Sequence, residues 1–135
     1  MSDSLRLEVV TPSRRVLQSR ASEVRIPGAL GELGVLPGHT PLLTSLGTGE
    51  VKFTDGETIG RLVVQGGFAE VQPDAVTVLA TVAETVDEID VEAARAELAS
   101  AQEQLKSVSA DDFDEVDAAV RLAEARITAA EGSGA

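Results

Sequence analysis

The sequence predicts an N-terminal antiparallel β-sandwich, or flattened barrel, followed by a C-terminal antiparallel two-helix hairpin. All five prolines and ten of the twelve glycines lie in the first 73 residues. The formal net charge is −2 over residues 1–83 and −10 over residues 84–135. The apolar period changes from two to 3.6 residues at about the same place. We therefore expect a sandwich over residues 1–84, a hairpin over residues 88–131 and a frayed tail over residues 132–135.

Short alternating runs between turn residues predict the strands of the first module. In the first run, Leu5, Leu7 and Val9 alternate with more polar neighbours. The remaining predicted strands cover residues 23–26, 51–53, 59–65, 68–72 and 76–83. Turn dipeptides such as Asp55-Gly56 separate them. No helical pattern lies between successive strands, which favours antiparallel pairing over a parallel sheet with crossover helices.

Two apolar stripes of helical period predict the hairpin. The first stripe contains Val91, Ala94, Leu98, Ala101 and Leu105. The second contains Phe113, Val116, Val120, Ala123 and Ile127. The spacing of three and four residues is typical of one face of a helix. Asp90 is the predicted N-cap of the first helix, and Ser109 with Asp112 resembles a capping box for the second.

Composition excludes several classes of function. The chain has no cysteine and a single histidine, which excludes thiol chemistry and multi-histidine metal sites. It has no Trp and no Tyr, and its net charge is −12, which opposes nucleic acid and anionic lipid. No secretory signal and no apolar run of membrane-spanning length is present, so no direct membrane insertion is expected. We predict no catalytic and no metal-binding residues, and partners that are proteins or cations.

One glycine- and proline-rich segment carries a family resemblance. Residues 31–43 read GELGVLPGHTPLL, an apolar loop with one histidine. In the same order follow GGFAEV at 66–71 and VTVLA at 76–80, with Val10-Thr11-Pro12 ahead of the segment and Ile89-Asp90 before the helices. Together these pieces closely resemble the epsilon subunit of F-type, proton-translocating ATP synthases. The resemblance covers almost the whole chain.

The resemblance implies a non-catalytic subunit on the central stalk of a rotary enzyme. The sandwich would contact the gamma subunit and the c-ring and so couple ring rotation to ATP synthesis. The hairpin would regulate ATP hydrolysis by extending toward the beta subunit of the catalytic head. The protein would sit at the cytoplasmic face of the bacterial inner membrane, held peripherally through the complex. The interface residues implied are Glu32, Leu36, Pro37 and His39.

Some members of that family bind ATP between the two helices. The positions matching their contacts are Glu84, Ile89, Asp90, Ala94 and Arg126. Two arginine positions of the pattern are instead Ala93 and Leu122, and Arg95 lies about 200° around the helix from Ala93. Lost guanidinium groups remove charge-assisted bonds to phosphate. We therefore expect no required cofactor, and ATP only as a weak regulatory ligand.

Several of these residues also have a simpler, purely structural explanation. His39 is either an interface and packing residue or a ligand or general base. The first interpretation is favoured, because the chain has no second histidine and no cysteine to complete a site. Glu32 is also explained as a solvated loop acid, and Asp90 as an N-cap alone. Two rival functions are a free-standing nucleotide-sensing hairpin and a hydrolase using paired carboxylates. Co-purification with gamma and the catalytic head separates the first rival from the stalk subunit.

Charge also bears on regulation. The hairpin region has a net charge of −10, and its only bases are Arg95, Lys106, Arg121 and Arg126. In similar subunits that inhibit hydrolysis, basic residues on the helices meet an acidic segment of the beta subunit. Because like charges repel, we expect this hairpin to inhibit hydrolysis weakly, or only at raised ionic strength or with a bound cation.

Overall fold

A computed structural model describes residues 4–132 of the chain. The chain divides into two compact units, residues 1–85 and 86–135, and each is described by itself. The strands are β1 Leu5–Val10, β2 Arg15–Ala21, β3 Glu23–Gly28, β4 Gly31–Val35, β5 Leu42–Ser45, β6 Thr48–Asp55, β7 Thr58–Val71 and β8 Ala75–Thr85. A 3₁₀ turn, Val86–Glu88, precedes the helices α1 Val91–Leu105 and α2 Phe113–Glu131. Residues 133–135 of the predicted tail lie outside the described residues.

The eight strands form one folded-over sheet that makes the two layers of the predicted sandwich. Their order is β2-β1-β8-β7-β6-β3-β4, and β5 pairs with β7. One ladder departs from the predicted antiparallel pattern, because β1 and β8 run parallel, with Leu7 opposite Val76. More than sixty residues separate these two strands in the chain, so no hairpin turn dictates their direction.

The sheet bends at a pair of glycines in the middle of β7. Before the bend, residues 58–65 pair with β6; after it, residues 68–71 pair with β5. The inward-facing side chains change from even positions such as Leu62 to odd positions such as Ala69. Gly66 and Gly67 both have positive φ, 71° and 96°, which L-residues rarely adopt. The bend places β5 and β6 in different layers, and the core lies between the layers.

The core consists of aliphatic side chains from both layers. Its members are Leu5, Leu7, Val9, Ala21, Val24, Ile26, Val35, Leu46, Val51, Leu62, Val64, Ala69, Val71, Val76, Val78, Ala80 and Ala83. All are at most 6% exposed. The alternation of apolar residues marks the buried face of β1 correctly, and that of β8 as far as Ala80. Beyond the bend it does not, because Ala83 is buried whereas Val82, predicted to share the inward face, is half-buried. This core is contributed by residues 5–83, so the first unit carries a core of its own.

Three strands are absent from the sequence prediction, and one predicted break is wrong. The unpredicted strands are β2, β4 and β5. The sequence of β2 does not alternate, and its register with β1 shifts between Val9 and Val10. β4 and β5 occupy the segment 31–43 that we expected to be a loop; β5 has only four residues. The two predicted strands 59–65 and 68–72 are one strand, because the glycine pair bends the backbone without ending the ladder to β8.

Both predicted helices are present, and they pack together over their stripes. The side chain of Asp90 accepts a hydrogen bond from the Ala93 backbone N–H at 3.1 Å, so the predicted N-cap is confirmed. The predicted capping box on the second helix is wrong. That helix starts after Asp112, which makes no side-chain cap, and the Ser109 hydroxyl donates to the Asp112 carboxylate at 3.2 Å instead. The first residue of the second stripe, Phe113, is 46% exposed and does not join the seam.

Candidate functional site

An exposed apolar row crosses the outer face of the layer that contains β1, β8 and the end of β7. Val10 lies opposite Leu79, and Leu79 lies opposite Phe68. Their neighbours in sequence, such as Val78 and Ala69, are fully buried, so the row points away from the core. Phe68 is 52% exposed and Leu79 is 49% exposed. Large side chains on the solvent face of a sheet, side by side, indicate an interaction surface.

Leu43 extends this row onto β5, where it lies opposite Glu70 and diagonal to Phe68. It is 67% exposed. We call Val10, Leu43, Phe68 and Leu79 the outer patch. Beside the patch is a shallow cavity of about 360 Å³ whose walls include Pro12 and Thr81.

An ion pair borders the patch on its β2 side. Arg15 lies opposite Val10 and pairs with Glu8 at 3.0 Å. An apolar centre with charged residues at its edge is the usual anatomy of a protein–protein interface. The cavity beside the patch has few polar groups with which to orient a small molecule. It is better explained as a part of the same apolar surface.

The segment 31–43 begins in β4 and ends in β5, and its middle is a turn tied to the rest of the sandwich. The Gly38 backbone N–H donates to the Pro73 carbonyl at 2.7 Å, and the His39 N–H donates to the Leu36 carbonyl at 3.1 Å. Leu36 is 58% exposed, whereas Pro37 and His39 are half-buried. These contacts hold the predicted interface residues in a fixed loop at the surface of the first unit.

The polar groups of this segment are engaged locally. Glu32 lies on β4 and pairs with Arg25 on β3 at 3.2 Å, and Arg25 also reaches Glu23 at 3.6 Å. His39 donates from Nδ1 to the Thr40 carbonyl at 2.6 Å, because a carbonyl oxygen only accepts. Among residues 4–132 there is no group of His, Cys, Asp or Glu side chains able to hold a metal ion. The contacts of His39 are those of a loop-stabilising residue, and Glu32 is an ion-paired strand residue.

The predicted nucleotide-contact residues are divided between the two units, with Glu84 in the first and the others in the second. Glu84 lies one residue before the end of β8, and Ile89 donates its backbone N–H to the Val86 carbonyl at 3.1 Å. The Asp90 carboxylate already accepts the N-cap hydrogen bond of α1, and Ala94 is only 1% exposed within the hairpin. Arg126 on α2 pairs with an acid that the sequence analysis did not single out: its Nη1 lies 2.9 Å from Glu97 Oε2 on α1.

A groove of about 420 Å³ runs along this side of the hairpin. Its polar lining includes Glu97, Ser100, Gln104 and Arg126, and Leu122 contributes an apolar wall. Of the predicted nucleotide contacts, only Arg126 lines it. The guanidinium that phosphate would need is therefore already bonded to a carboxylate of the same hairpin.

The outer patch lies outside the residues predicted from the sequence, although a signal for it is present in β8. In the run 76–80, Val76, Val78 and Ala80 face the core, so an alternating strand should carry a polar residue at position 79. It carries Leu79 instead. Leu79 departs from the alternation, and beside Phe68 on the neighbouring strand it becomes part of an exposed apolar patch.

Fold and surfaces together define a class: a β-sandwich with an exposed apolar patch, followed by a two-helix hairpin. Within residues 4–132, neither helix is long and apolar enough to cross a membrane. The sequence model of the ATP synthase delta/epsilon chain β-sandwich domain matches residues 4–86. The ATP synthase epsilon chain of Geotalea daltonii is 43% identical over 136 residues, covering 99% of both chains. The chain belongs to the ATP synthase epsilon chain family.

Solved structures show the same fold. A chain in the mitochondrial ATP synthase of Euglena gracilis, solved as an OSCP/F1/c-ring assembly, superimposes with a TM-score of 0.81. It is 23% identical, and the match covers 99% of this chain and 82% of that one. A chain in the central stalk/c-ring structure of the Tetrahymena thermophila mitochondrial ATP synthase gives a TM-score of 0.63 at 17% identity, covering 92% of this chain and 96% of that one.

Proposed function

We propose that this protein is a non-catalytic central-stalk subunit of a rotary F-type ATP synthase, in which it couples proton-driven rotation of the ring to ATP synthesis. The outer patch is the observation that carries the proposal. Its three exposed members, Leu43, Phe68 and Leu79, lie with the half-buried Val10 on the solvent face of one layer, where they stabilise a monomer poorly but suit permanent burial against a partner. In this proposal the gamma subunit of the stalk is that partner, as the resemblance to the family implies. The complex then places the protein at the cytoplasmic face of the bacterial inner membrane.

The second contact of the sandwich, with the c-ring, falls to the 31–43 segment in this proposal. Its fixed turn presents Leu36, Pro37 and His39, while Glu32 on β4 contributes charge. In similar subunits this segment faces polar loops of the ring, and a surface that mixes polar and apolar groups suits such loops better than the outer patch does. The two surfaces thus divide the labour: the outer patch binds gamma, and the segment contacts the ring.

The hairpin, in this proposal, modulates hydrolysis only weakly. Each of its four basic residues is paired with an acid of the hairpin itself. Arg121 pairs with Asp117 at 2.8 Å and Lys106 pairs with Glu103 at 3.1 Å. Arg126 pairs with Glu97, and Arg95 pairs with Glu92 and Glu131. These cations are already neutralised, so an acidic surface on the beta subunit would meet net negative charge.

A binding experiment tests the gamma contact. Full-length protein carrying Leu79→Glu is compared with the wild type for retention of purified gamma. Burying a carboxylate without a partner is unfavourable, so we expect at least about a tenfold loss of affinity. The matched control is Ile59→Glu, since Ile59 is 67% exposed and lies in the part of β7 that pairs with β6. Equal effects of the two substitutions, or none from Leu79→Glu, would contradict the proposal.

The free-standing nucleotide sensor remains the alternative function, and the same binding experiment separates it. A sensor would retain nucleotide and ignore gamma. The pairing of Arg126 with Glu97 argues against it, since no phosphate is needed to neutralise that guanidinium.

A further inference from the structure

Two ion pairs join the helices of the hairpin. In one pair the cation lies on α1, and in the other it lies on α2. On one side, the cation Arg95 of α1 contacts the anion Glu131 of α2. On the other side, the anion Glu97 of α1 contacts the cation Arg126 of α2, with 2.9 Å between Oε2 and Nη1. All four residues lie near the start of α1 and the end of α2, which meet because the helices are antiparallel.

The two pairs lie on opposite flanks of the apolar seam. At about 100° per residue, Arg95 is about 100° to one side of the seam residue Ala94 and Glu97 is about 60° to the other. On α2, Glu131 and Arg126 fall on the two corresponding flanks. The seam is therefore held on both sides at this end of the hairpin.

The seam between the flanks has little apolar area to contribute. Ala94, Ala101 and Ala123 are at most 6% exposed, and among the most buried seam positions only Val120 is larger. Apolar stabilisation scales with buried area, and an alanine methyl group supplies little of it. Arg126 is only 19% exposed, so the solvent screens its charge less than it screens the charges of a fully exposed pair.

We propose that these two crossed ion pairs act as a clasp that closes the hairpin and fixes its helix register without any ligand. Sliding either helix by one turn separates both pairs, because the residues one turn from Glu97 and from Arg126 on their own helices are uncharged: Ala93 and Ala101 on α1, Leu122 and Ala130 on α2. Because the clasp is electrostatic, raising the ionic strength loosens it, and the helices part more often in salt. Ionic strength, in place of a bound nucleotide, then sets how readily the hairpin opens. This inference concerns the isolated chain and does not depend on the proposed stalk function.

Hydrogen exchange on the full-length chain tests the clasp. The amides of α1 and α2 are followed by mass spectrometry at about 0.02 M and about 0.5 M sodium chloride. The variants are Glu97→Gln, Arg126→Gln and the exchanged double variant Glu97→Arg with Arg126→Glu. The control is Arg121→Gln, which removes an exposed pair within α2 and leaves both cross-helix pairs in place.

At low salt we expect each single clasp variant to raise exchange of the seam amides about fivefold, and the exchanged variant to return to within about twofold of the wild type. The Arg121→Gln variant should stay close to the wild type. Added salt should raise exchange most in the wild type and less in the single variants, which keep only the Arg95–Glu131 pair. The clasp is overturned if the single variants match the control, or if the exchanged variant exchanges as fast as they do. Complete loss of protection in every clasp variant would also overturn it, since the exchanged pair must close the hairpin.

Discussion

Gly67 lies directly against the backbone of Leu79 on the neighbouring strand, so closely that a Cβ at position 67 would overlap the Leu79 carbonyl oxygen. Gly67 also has a φ of 96°, a conformation that few other residues adopt. The same contact positions both outer-patch residues next to it, because Phe68 follows Gly67 and lies opposite Leu79. The bend that forms the two layers therefore also presents the candidate docking face.

Replacing this glycine tests the bend. Gly67→Ala combines backbone strain with a clash against backbone atoms, so we expect a loss of about 3 kcal/mol or more in the free energy of unfolding. Gly38 has a positive φ but open space around it, so Gly38→Ala should lower the free energy of unfolding by about 1 kcal/mol. Gly34 has neither a positive φ nor a close neighbour, so the free energy of unfolding of Gly34→Ala should stay within about 0.5 kcal/mol of the wild-type value. Chemical denaturation of the three variants gives the order, and a Gly67→Ala variant as stable as Gly34→Ala would show that the bend is not under this constraint.

The N-cap of α1 gives a second prediction. Asp90 accepts from the Ala93 N–H at 3.1 Å, and asparagine can make the same bond. We expect Asp90→Ala to weaken the start of the helix by about 1 kcal/mol and Asp90→Asn to be nearly neutral. Exchange protection of the amides in residues 91–94 measures both. Equal loss in the two variants would show that the carboxylate acts through its charge and not through the cap bond.

Truncation tests the division of labour between the two units. The core of residues 5–83 is contained in the first unit, and so is the outer patch. Deleting residues 88–135 should therefore leave gamma binding and ATP-driven proton pumping largely intact. Binding to gamma and pumping in reconstituted vesicles are the measurements. If the truncated protein folds but no longer binds gamma, the outer patch is not sufficient for docking.

ATP binding should be weak in this chain. A micromolar site would stabilise the protein by about 4 kcal/mol at a thousandfold excess of ligand, and we expect a small fraction of that from millimolar ATP. Calorimetry or thermal shift on the isolated chain gives the answer. Introducing Ala93→Arg and Leu122→Arg should strengthen binding, and adding Glu97→Gln, which releases Arg126, should strengthen it further. Micromolar binding by the unmodified chain would contradict the prediction.

Inhibition of ATP hydrolysis should also be weak. The assay compares hydrolysis rates of the enzyme assembled with the full-length chain and with a chain lacking residues 88–135. Because the hairpin carries a net charge of −10 and its cations are internally paired, we expect deletion at low salt to raise the rate by less than about tenfold. A larger increase would show that an acidic hairpin can still hold the catalytic head.

Sequence alone determined the modular plan. Alternation at Leu5, Leu7 and Val9 and the helical stripe from Val91 to Leu105 identified the element types and their buried faces, because residue periodicity reports local geometry directly. The same holds for the N-cap at Asp90, whose bond partner lies three residues away. Features that depend on neighbours in sequence could be predicted, and so could the family, from the ordered motifs.

Tertiary structure decided the features that join distant parts of the chain. The parallel pairing of β1 with β8, the bend at Gly66 and Gly67, and the outer patch each depend on which strands become neighbours. The pairing of Arg126 with Glu97 spans 29 positions, so no local sequence pattern predicts it. Charge and apolarity can be read from single residues, but their effect depends on the groups that packing places beside them.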